Sequence, residues 1–274
     1  MGVYRNRGNI VRVGYLTISA LCWLITGGKC CRNKGMLVLC YHGVTSKQKK
    51  QFSYQMSRLR KYNKAEEKAN NKAGHQKPNN LQVIVTFDDA FANLLDNALP
   101  ALEQYQIPAI VFAVTGNLGQ KPRWEMPPGH MEAEEMIMTE DELVALARNP
   151  LMSLGSHTLT HPDLTKISCV QAEEELSKSK QYLEELLGYK IEDLALPHGA
   201  FNDEIVSQAE QLKYKRIFTL IPQIEKDACA TGLIGRFSMS PDVWRIEFLL
   251  TCAGAYAWLY HLRRILQKVR RWTK

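Results

Sequence analysis

Apolar residues in this chain gather in short unbroken runs separated by amphipathic stretches. Met36-Leu37-Val38-Leu39-Cys40-Tyr41-His42, Leu81-Gln82-Val83-Ile84-Val85-Thr86-Phe87 and Ala109-Ile110-Val111-Phe112-Ala113-Val114 are the clearest runs. Such segments read as strands of a parallel sheet covered on both faces. Leu151 to Ser156, Leu194-Ala195-Leu196 and Arg216 to Leu220 read as further strands. Helical spacing appears over Phe52 to Tyr62 and Ala90 to Gln106, and again over Cys169 to Leu187, which ends at Gly188, and Asp203 to Gln211. Thr139 and Glu142 form a capping box that starts a helix running through Ala147. Asn63 to Asn80, rich in Lys, Asn and Ala, reads as a surface excursion, and Gly116 to Met138 as a Pro- and Gly-rich loop. Strands and helices that alternate in this way predict an α/β fold, either a barrel or an open doubly wound sheet. Both place functional residues at the carboxyl ends of strands.

The two ends of the chain have a different texture. Val13 to Thr26 is largely apolar, with Arg5, Arg7 and Arg12 before or at its start and Lys29, Arg32 and Lys34 after it. It falls short of the ~20 residues of a spanning helix. Gly27-Gly28-Lys29-Cys30 is not a small-x-small cleavage site, so the expectation is an uncleaved anchor or interfacial helix, with a helix packed on the domain as the alternative. At the other end Trp258, Leu259, Leu262, Ile265, Leu266, Val269 and Trp272 recur at helical spacing, opposite Arg263, Arg264, Lys268, Arg270 and Arg271. That pattern suits a helix lying on anionic lipid, or equally a docked helix with a solvated basic side. The expected layout is a membrane-associating segment at 1–35, a catalytic domain at 36–242 and a basic amphipathic helix at 243–274.

Composition narrows the picture. With 274 residues, 45% of them hydrophobic, the chain can build one large core. The net charge of +7 is concentrated at the ends, which favours an anionic surface. The expectation is peripheral or N-terminally anchored membrane association. No basic stretch is interleaved with aromatics on a recognisable binding module, which argues against nucleic acid as partner. The seven cysteines are odd in number and lack CxxC spacing, so neither a disulfide framework nor a cysteine zinc site is indicated.

Three strand ends carry polar groups: Asp88-Asp89, His157, and Pro197-His198-Gly199. Two adjacent carboxylates after an apolar strand raise each other's pKa, and a cation relieves this. In Ser156-His157-Thr158-Leu159-Thr160-His161 the two imidazoles are four residues apart and share a side if the turn is helical. Two His and one carboxylate with open positions form the ligand set of a hydrolytic zinc-type site. Taken singly, an Asp pair is more often a helix-capping turn and HxxxH a chance spacing. Their joint occurrence at successive strand ends is what points to a metal.

These motifs resemble those of the polysaccharide deacetylases, the NodB-homology carbohydrate esterases. Thr86-Phe87-Asp88-Asp89-Ala90 resembles the first motif, TFDDG, with Ala90 where Gly is usual. Ser156 to His161 resembles the second, and Leu194-Ala195-Leu196-Pro197-His198-Gly199 the third, with His198 at the place of an aromatic residue. Tyr41-His42-Gly43 and the span to about Asp242 resemble the single-domain bacterial members. The resemblance implies a distorted (β/α) barrel of about seven parallel strands. It implies that Asp89, His157 and His161 hold one divalent metal ion, zinc by expectation, and that Asp88 is the general base acting on the water the metal activates. His42, Pro197 and Gly199 would line the substrate site, and the substrate would be an amino-sugar glycan carrying N-acetyl or O-acetyl groups.

The sequence departs from the family in two places. The arginine that usually precedes the third motif and orients the base has no counterpart near Glu192 and Ala195. Arg236, after Leu233-Ile234-Gly235, is a candidate for that role, beside a solvated or structural arginine. The histidine of the final motif, the general acid, is not recognisable. Leu259-Tyr260-His261 has a fragment of its form in a basic helix, and His42 and His198 are the other candidates. Two further readings stand beside the deacetylase: a deacylase for a small or lipid-linked molecule, and an inactive carbohydrate-binding relative.

Overall fold

The computed structural model of the chain describes residues 9–26, 35–72, 81–127, 129–225, 231–260 and 262. Its centre is a sheet of eight parallel strands: β1 (Gly35–Tyr41), β2 (Leu81–Phe87), β3 (Ala109–Ala113), β4 (Met152–Ser156), β5 (Asp193–Ala195), β6 (Arg216–Phe218), β7 (Gly232–Ile234) and β8 (Phe237–Ser238). Strands β1 to β7 are neighbours in chain order, and β8 pairs with the free side of β1. The result is a distorted (β/α) barrel. Its eighth strand, two residues long, is too short to register as a hydrophobic run. The gap between β7 and β8 is crossed by Gly235-Arg236 alone. It is stitched by a bridge in which Met36 and Glu225 exchange backbone hydrogen bonds of 2.8 Å, while the Glu225 carboxylate accepts from Gly235 N–H.

Alternation along β1 separates two cores. Met36 and Val38 turn inward to meet Ile110, Phe112, Ala195, Phe218 and Ile234 inside the barrel. Leu37, Leu39 and Tyr41 turn outward onto the helices. Gly155 in β4 makes the narrow interior possible, because a Cβ there would lie 2.6 Å from the Phe112 ring.

The outer layer consists of α1 (Asn9–Ile25), α2 (Lys49–Lys72), α3 (Asn93–Asn97), α4 (Leu99–Tyr105), α5 (Glu140–Ala147), α6 (Cys169–Leu187), α7 (Asp203–Gln211) and α8 (Arg245–Cys252). The boxes at Thr139 and Ser168 cap α5 and α6, and Gly188 ends α6 in the left-handed region. Two expectations need correction. The helix starting near Phe52 continues through Lys72, so most of the Asn63 to Asn80 excursion is helical where described, and 73–80 lie outside the described residues. The single helix over Ala90 to Gln106 is broken into α3 and α4, with Pro100 in the first turn of α4, where its missing N–H costs nothing. Helix α8 packs Phe248, Leu250 and Cys252 into the main core, and α1 lies against it. Residues 263–274, most of the basic amphipathic stretch, and His261 lie outside the described residues.

Candidate metal centre and active site

The carboxyl ends of β2, β4 and β5 converge on one polar cluster. β2 runs into Asp88, whose N–H donates to Tyr41 O at 2.9 Å, and the chain then turns through two left-handed residues, Asp89 (φ 69°) and Ala90 (φ 52°). A β-carbon is strained there, which accounts physically for glycine being usual at position 90. The turn delivers both carboxylates, each 3% exposed, into the barrel mouth.

Strand β4 ends at His157. Its Nδ1 lies 2.7 Å from Ala195 O, and a carbonyl can only accept, so Nδ1 carries the proton and Nε2 presents its lone pair to the site. His161 arrives on the same spot by a route the spacing did not foresee. The Thr158 to His161 segment is not a helical turn. Thr158 (φ 68°) and His161 (φ 65°) are both left-handed, and the bend brings the two rings within 4.9 Å. Glu175 of α6 holds that loop, accepting from the N–H groups of Leu159 and Thr160 and from the Thr160 hydroxyl.

Both His Nε2 atoms stand 3.5 Å from Asp89 Oδ1, and the three side chains can place donor atoms within 4.8 Å of one another. Metal bonds of about 2.0–2.2 Å in tetrahedral geometry set donors roughly 3.3–3.6 Å apart, and both His–Asp89 spacings lie in that range. The chemistry of the donors fits as well. Asp89 Oδ1 is buried without a hydrogen-bond partner, which is costly unless a cation takes it. Burial pushes the His157 pKa down to about 4, and burial with the neighbouring His157 and His198 pushes His161 to about 2, so both rings are neutral and able to ligate. Burial, then Asp88 and Glu132, push the Asp89 carboxyl well above its ordinary value.

Asp88 sits in the opposite field. Burial works to raise its pKa, but the Arg236 guanidinium outweighs it, with help from His157 and His42, and holds the carboxyl well below the usual range. Arg236 is 1% exposed and donates from Nη1 to Asp88 Oδ1 at 2.6 Å and from Nη2 to Oδ2 at 2.9 Å. Its Nε donates to Thr219 O, and its plane lies 5.5 and 5.8 Å from the Phe112 and Phe218 rings, on top of the inner core. The Cys40 thiol adds a donor to Asp88 Oδ2 at 3.3 Å. Of the two readings of Arg236, the structure supports the buried partner of Asp88 rather than a solvated residue.

The remaining predicted positions lie around the mouth. Pro197-His198-Gly199 makes one tight turn after β5, with His198 left-handed (φ 59°), exposed, and its ring 4.9 Å from His161 in edge contact. Gly199, also left-handed, lies so close to Leu220 that a Cβ would come within 2.6 Å of its nitrogen. His42 is half-buried and close enough to Asp88 to bear on its charge. The sequence reading missed Trp124, stacked on His161 at 4.4 Å, and Glu132, 4% exposed, which accepts from Gly43 N–H. Both come from the Pro- and Gly-rich loop, where nothing in the local pattern marks them.

The polysaccharide deacetylase family model matches residues 75–217, more than half of the 274-residue chain. The chain belongs to the polysaccharide deacetylase family. The match covers all three strand-end motifs. Among curated relatives of this family member, the Bacillus subtilis (strain 168) protein YxkH is 24% identical over 181 residues, which is 66% of this chain and 58% of the relative. The poly-β-1,6-N-acetyl-D-glucosamine N-deacetylase of Staphylococcus aureus (strain MRSA252) is 27% identical over 146 residues, 50% of this chain and 47% of the relative. The chain thus spans about half the length of these curated relatives. In fold, it is similar to IcaB from Ammonifex degensii, with a TM-score of 0.64 and 24% identity over 82% of this chain and 98% of the other. It is likewise similar to the Streptococcus pyogenes deacetylase PplD in complex with acetate, with a TM-score of 0.61 and 23% identity over 81% and 99% of the two chains.

Proposed function

We propose that this chain is a metal-dependent hydrolase that removes N-acetyl groups from an amino-sugar polysaccharide, with polymers of β-1,6-linked N-acetylglucosamine as the first substrate class to test. O-acetyl groups are the second class. The observation that carries the reading is the pairing, in one buried cluster, of a three-donor cation site with a carboxylate of opposite electrostatic character beside it. The name of the Staphylococcus aureus relatives supports the choice of sugar.

In this reading Asp89, His157 and His161 would hold the metal, with zinc as the first ion to test among the divalent ions that suit two imidazoles and a carboxylate. A divalent cation there supplies a Lewis acid that polarises the acetyl carbonyl and lowers the pKa of a water to about 7. Asp88, whose Oδ2 faces His157 Nε2 at 3.8 Å, would be the acceptor for a proton from water at the site. Arg236 keeps Asp88 ionised and fixes its plane, which costs basicity but secures orientation. Trp124 and His198 flank the His161 ring and shield it from water on two sides. His198, at the mouth beside His161, is the candidate to protonate the departing amine, and its pKa, lowered chiefly by burial, means that it must take up its proton against that field.

Acetate release from β-1,6-linked N-acetylglucosamine oligomers, from chito-oligosaccharides and from O-acetylated glycans tests this reading. Release that requires added zinc and disappears in His157→Ala is expected. A chain that binds metal but frees no acetate from any of these would overturn it.

A further inference from the structure

Helix α1 is fastened to the domain along one side and apolar along the other. Its only charged residue, Arg12, turns inward, lying over the Trp244 ring at 4.3 Å and donating to the buried Glu247 carboxylate from Nε and Nη2 at 2.9 and 2.6 Å. One turn further on, Tyr15 meets the Trp258 ring at 5.6 Å. Ser19, fully buried, then accepts from Trp258 Nε1 at 2.9 Å. Tyr15, Leu16 and Ala20 complete the inner face against the main core.

The outer face follows helical steps through Val11, Gly14, Ile18, Leu21 and Ile25, with Val13, Thr17 and Leu24 beside them. None is charged. Exposure is 41% at Val11, 44% at Ile18, 51% at Leu21, 63% at Leu24 and 83% at Ile25. A contiguous apolar face of this kind marks an interaction surface. It does not mark a span: no helix among the described residues is long and apolar enough to cross a membrane, and the inner face is already committed to α8.

Charge decides between two coverings. The sequence carries Arg5 and Arg7 just before α1 and Lys29, Arg32 and Lys34 just after it. The stretch from Arg263 to Lys274, with six cations and no acid, begins five residues after Trp258, the residue that grips α1. A second copy would bring these like charges together, whereas an anionic bilayer accepts both the apolar face and the cations that flank it in sequence.

We infer that α1 lies in the plane of an anionic phospholipid surface, its Val11–Ile18–Leu21–Ile25 face inserted at the headgroup boundary, and that the Arg12–Glu247 clamp fixes the catalytic domain on that surface. The inference stands apart from the acetyl chemistry and would survive its failure.

The test is sedimentation of the full chain with phosphatidylcholine vesicles, with and without phosphatidylglycerol, comparing wild type with Leu21→Asn/Leu24→Asn. The substitutions leave every charge in place, so a loss of binding reports lost insertion rather than repulsion. Binding to the phosphatidylglycerol vesicles is expected to fall at least about tenfold in the variant, with the melting temperature unchanged. Ile25→Asn, at the most exposed position, serves the same comparison should the double variant melt early. Three results would overturn the inference: no vesicle binding by wild type, equal binding by the variants, or a dimer that the variants dissociate in the absence of vesicle binding.

Discussion

Arg236 and Asp88 are 148 residues apart in sequence and meet in a two-pronged ion pair at 2.6 and 2.9 Å inside the barrel. The pair exists because β7 and β8 lie on opposite sides of the one gap in the sheet. The two residues that cross the gap point the arginine at the end of β2. Both groups are almost fully buried, so neither is tolerable without the other.

Arg236→Met is therefore expected to destabilise the fold by about 3–5 kcal/mol, because it leaves Asp88 as an uncompensated buried charge. Arg236→Lys keeps the charge but loses the fork, and should cost less stability. In both variants the Asp88 pKa rises. The base must be ionised to act, so the acid limb of the kcat/KM profile should move to higher pH. A profile unmoved in Arg236→Lys would detach the arginine from catalysis.

In metal-free protein the two histidines and Asp89 pull stability in opposite directions with pH. His157, at about 4, and His161, at about 2, lie below the ordinary value of about 6.5. The unfolded chain thus binds more protons between those limits, and stability falls as the pH drops from about 6.5 toward 4. Asp89 is raised, so from about pH 3.9 up to its folded pKa the folded chain keeps a proton that the unfolded chain releases; this contribution declines as the pH rises, opposing the histidines below about pH 6.5 and acting without them above it. Zinc has to displace that proton, so its stabilising effect should grow with pH. Melting curves with zinc and with chelator across pH 4 to 9 measure both effects. A chelated protein whose melting temperature does not change with pH would contradict this electrostatic picture.

Gly155→Ala is expected to lower stability by about 1–3 kcal/mol through overpacking. The added methyl meets the Phe112 ring at 2.6 Å and Asp193 O at 2.9 Å, and neither can retreat within the closed interior. Urea unfolding monitored by fluorescence reads the loss directly.

His198→Ala separates general acid catalysis from metal chemistry. Amide hydrolysis needs a protonated leaving amine, and loss of the acid should slow N-deacetylation by about 10²-fold or more. An aryl acetate expels a stable phenolate and should be hydrolysed at close to the wild-type rate. Equal loss on both substrates would assign His198 to holding His161, which its ring touches, rather than to proton transfer.

Strands β1 to β6 and the three strand-end motifs were legible because buried parallel strands leave continuous apolar runs and their ends leave abrupt polarity, whereas the choice of a barrel over an open sheet came from the family resemblance and not from the runs. Less was legible where geometry is set by non-local contacts. The convergence of His157 and His161 was read from helical spacing but is built from two left-handed residues, which no pattern of residue types announces. Arg236 looked like any arginine after a strand, since its burial depends on a gap defined by β7 and β8, each of three residues or fewer. Glu175 is one acid in a Glu-rich helix, and only the folded position of α6 shows that it holds the second motif.

The division of labour between Asp89 and Asp88 is the central claim, and Asp88→Asn tests it most directly. Zinc per chain and acetate release from N-acetylglucosamine oligomers are measured on the same preparation as wild type. The expected result is one zinc per chain in both proteins and a loss of activity of about 10²-fold or more in the variant. Loss of zinc together with activity would make Asp88 a ligand, and full activity in the variant would remove it as the base.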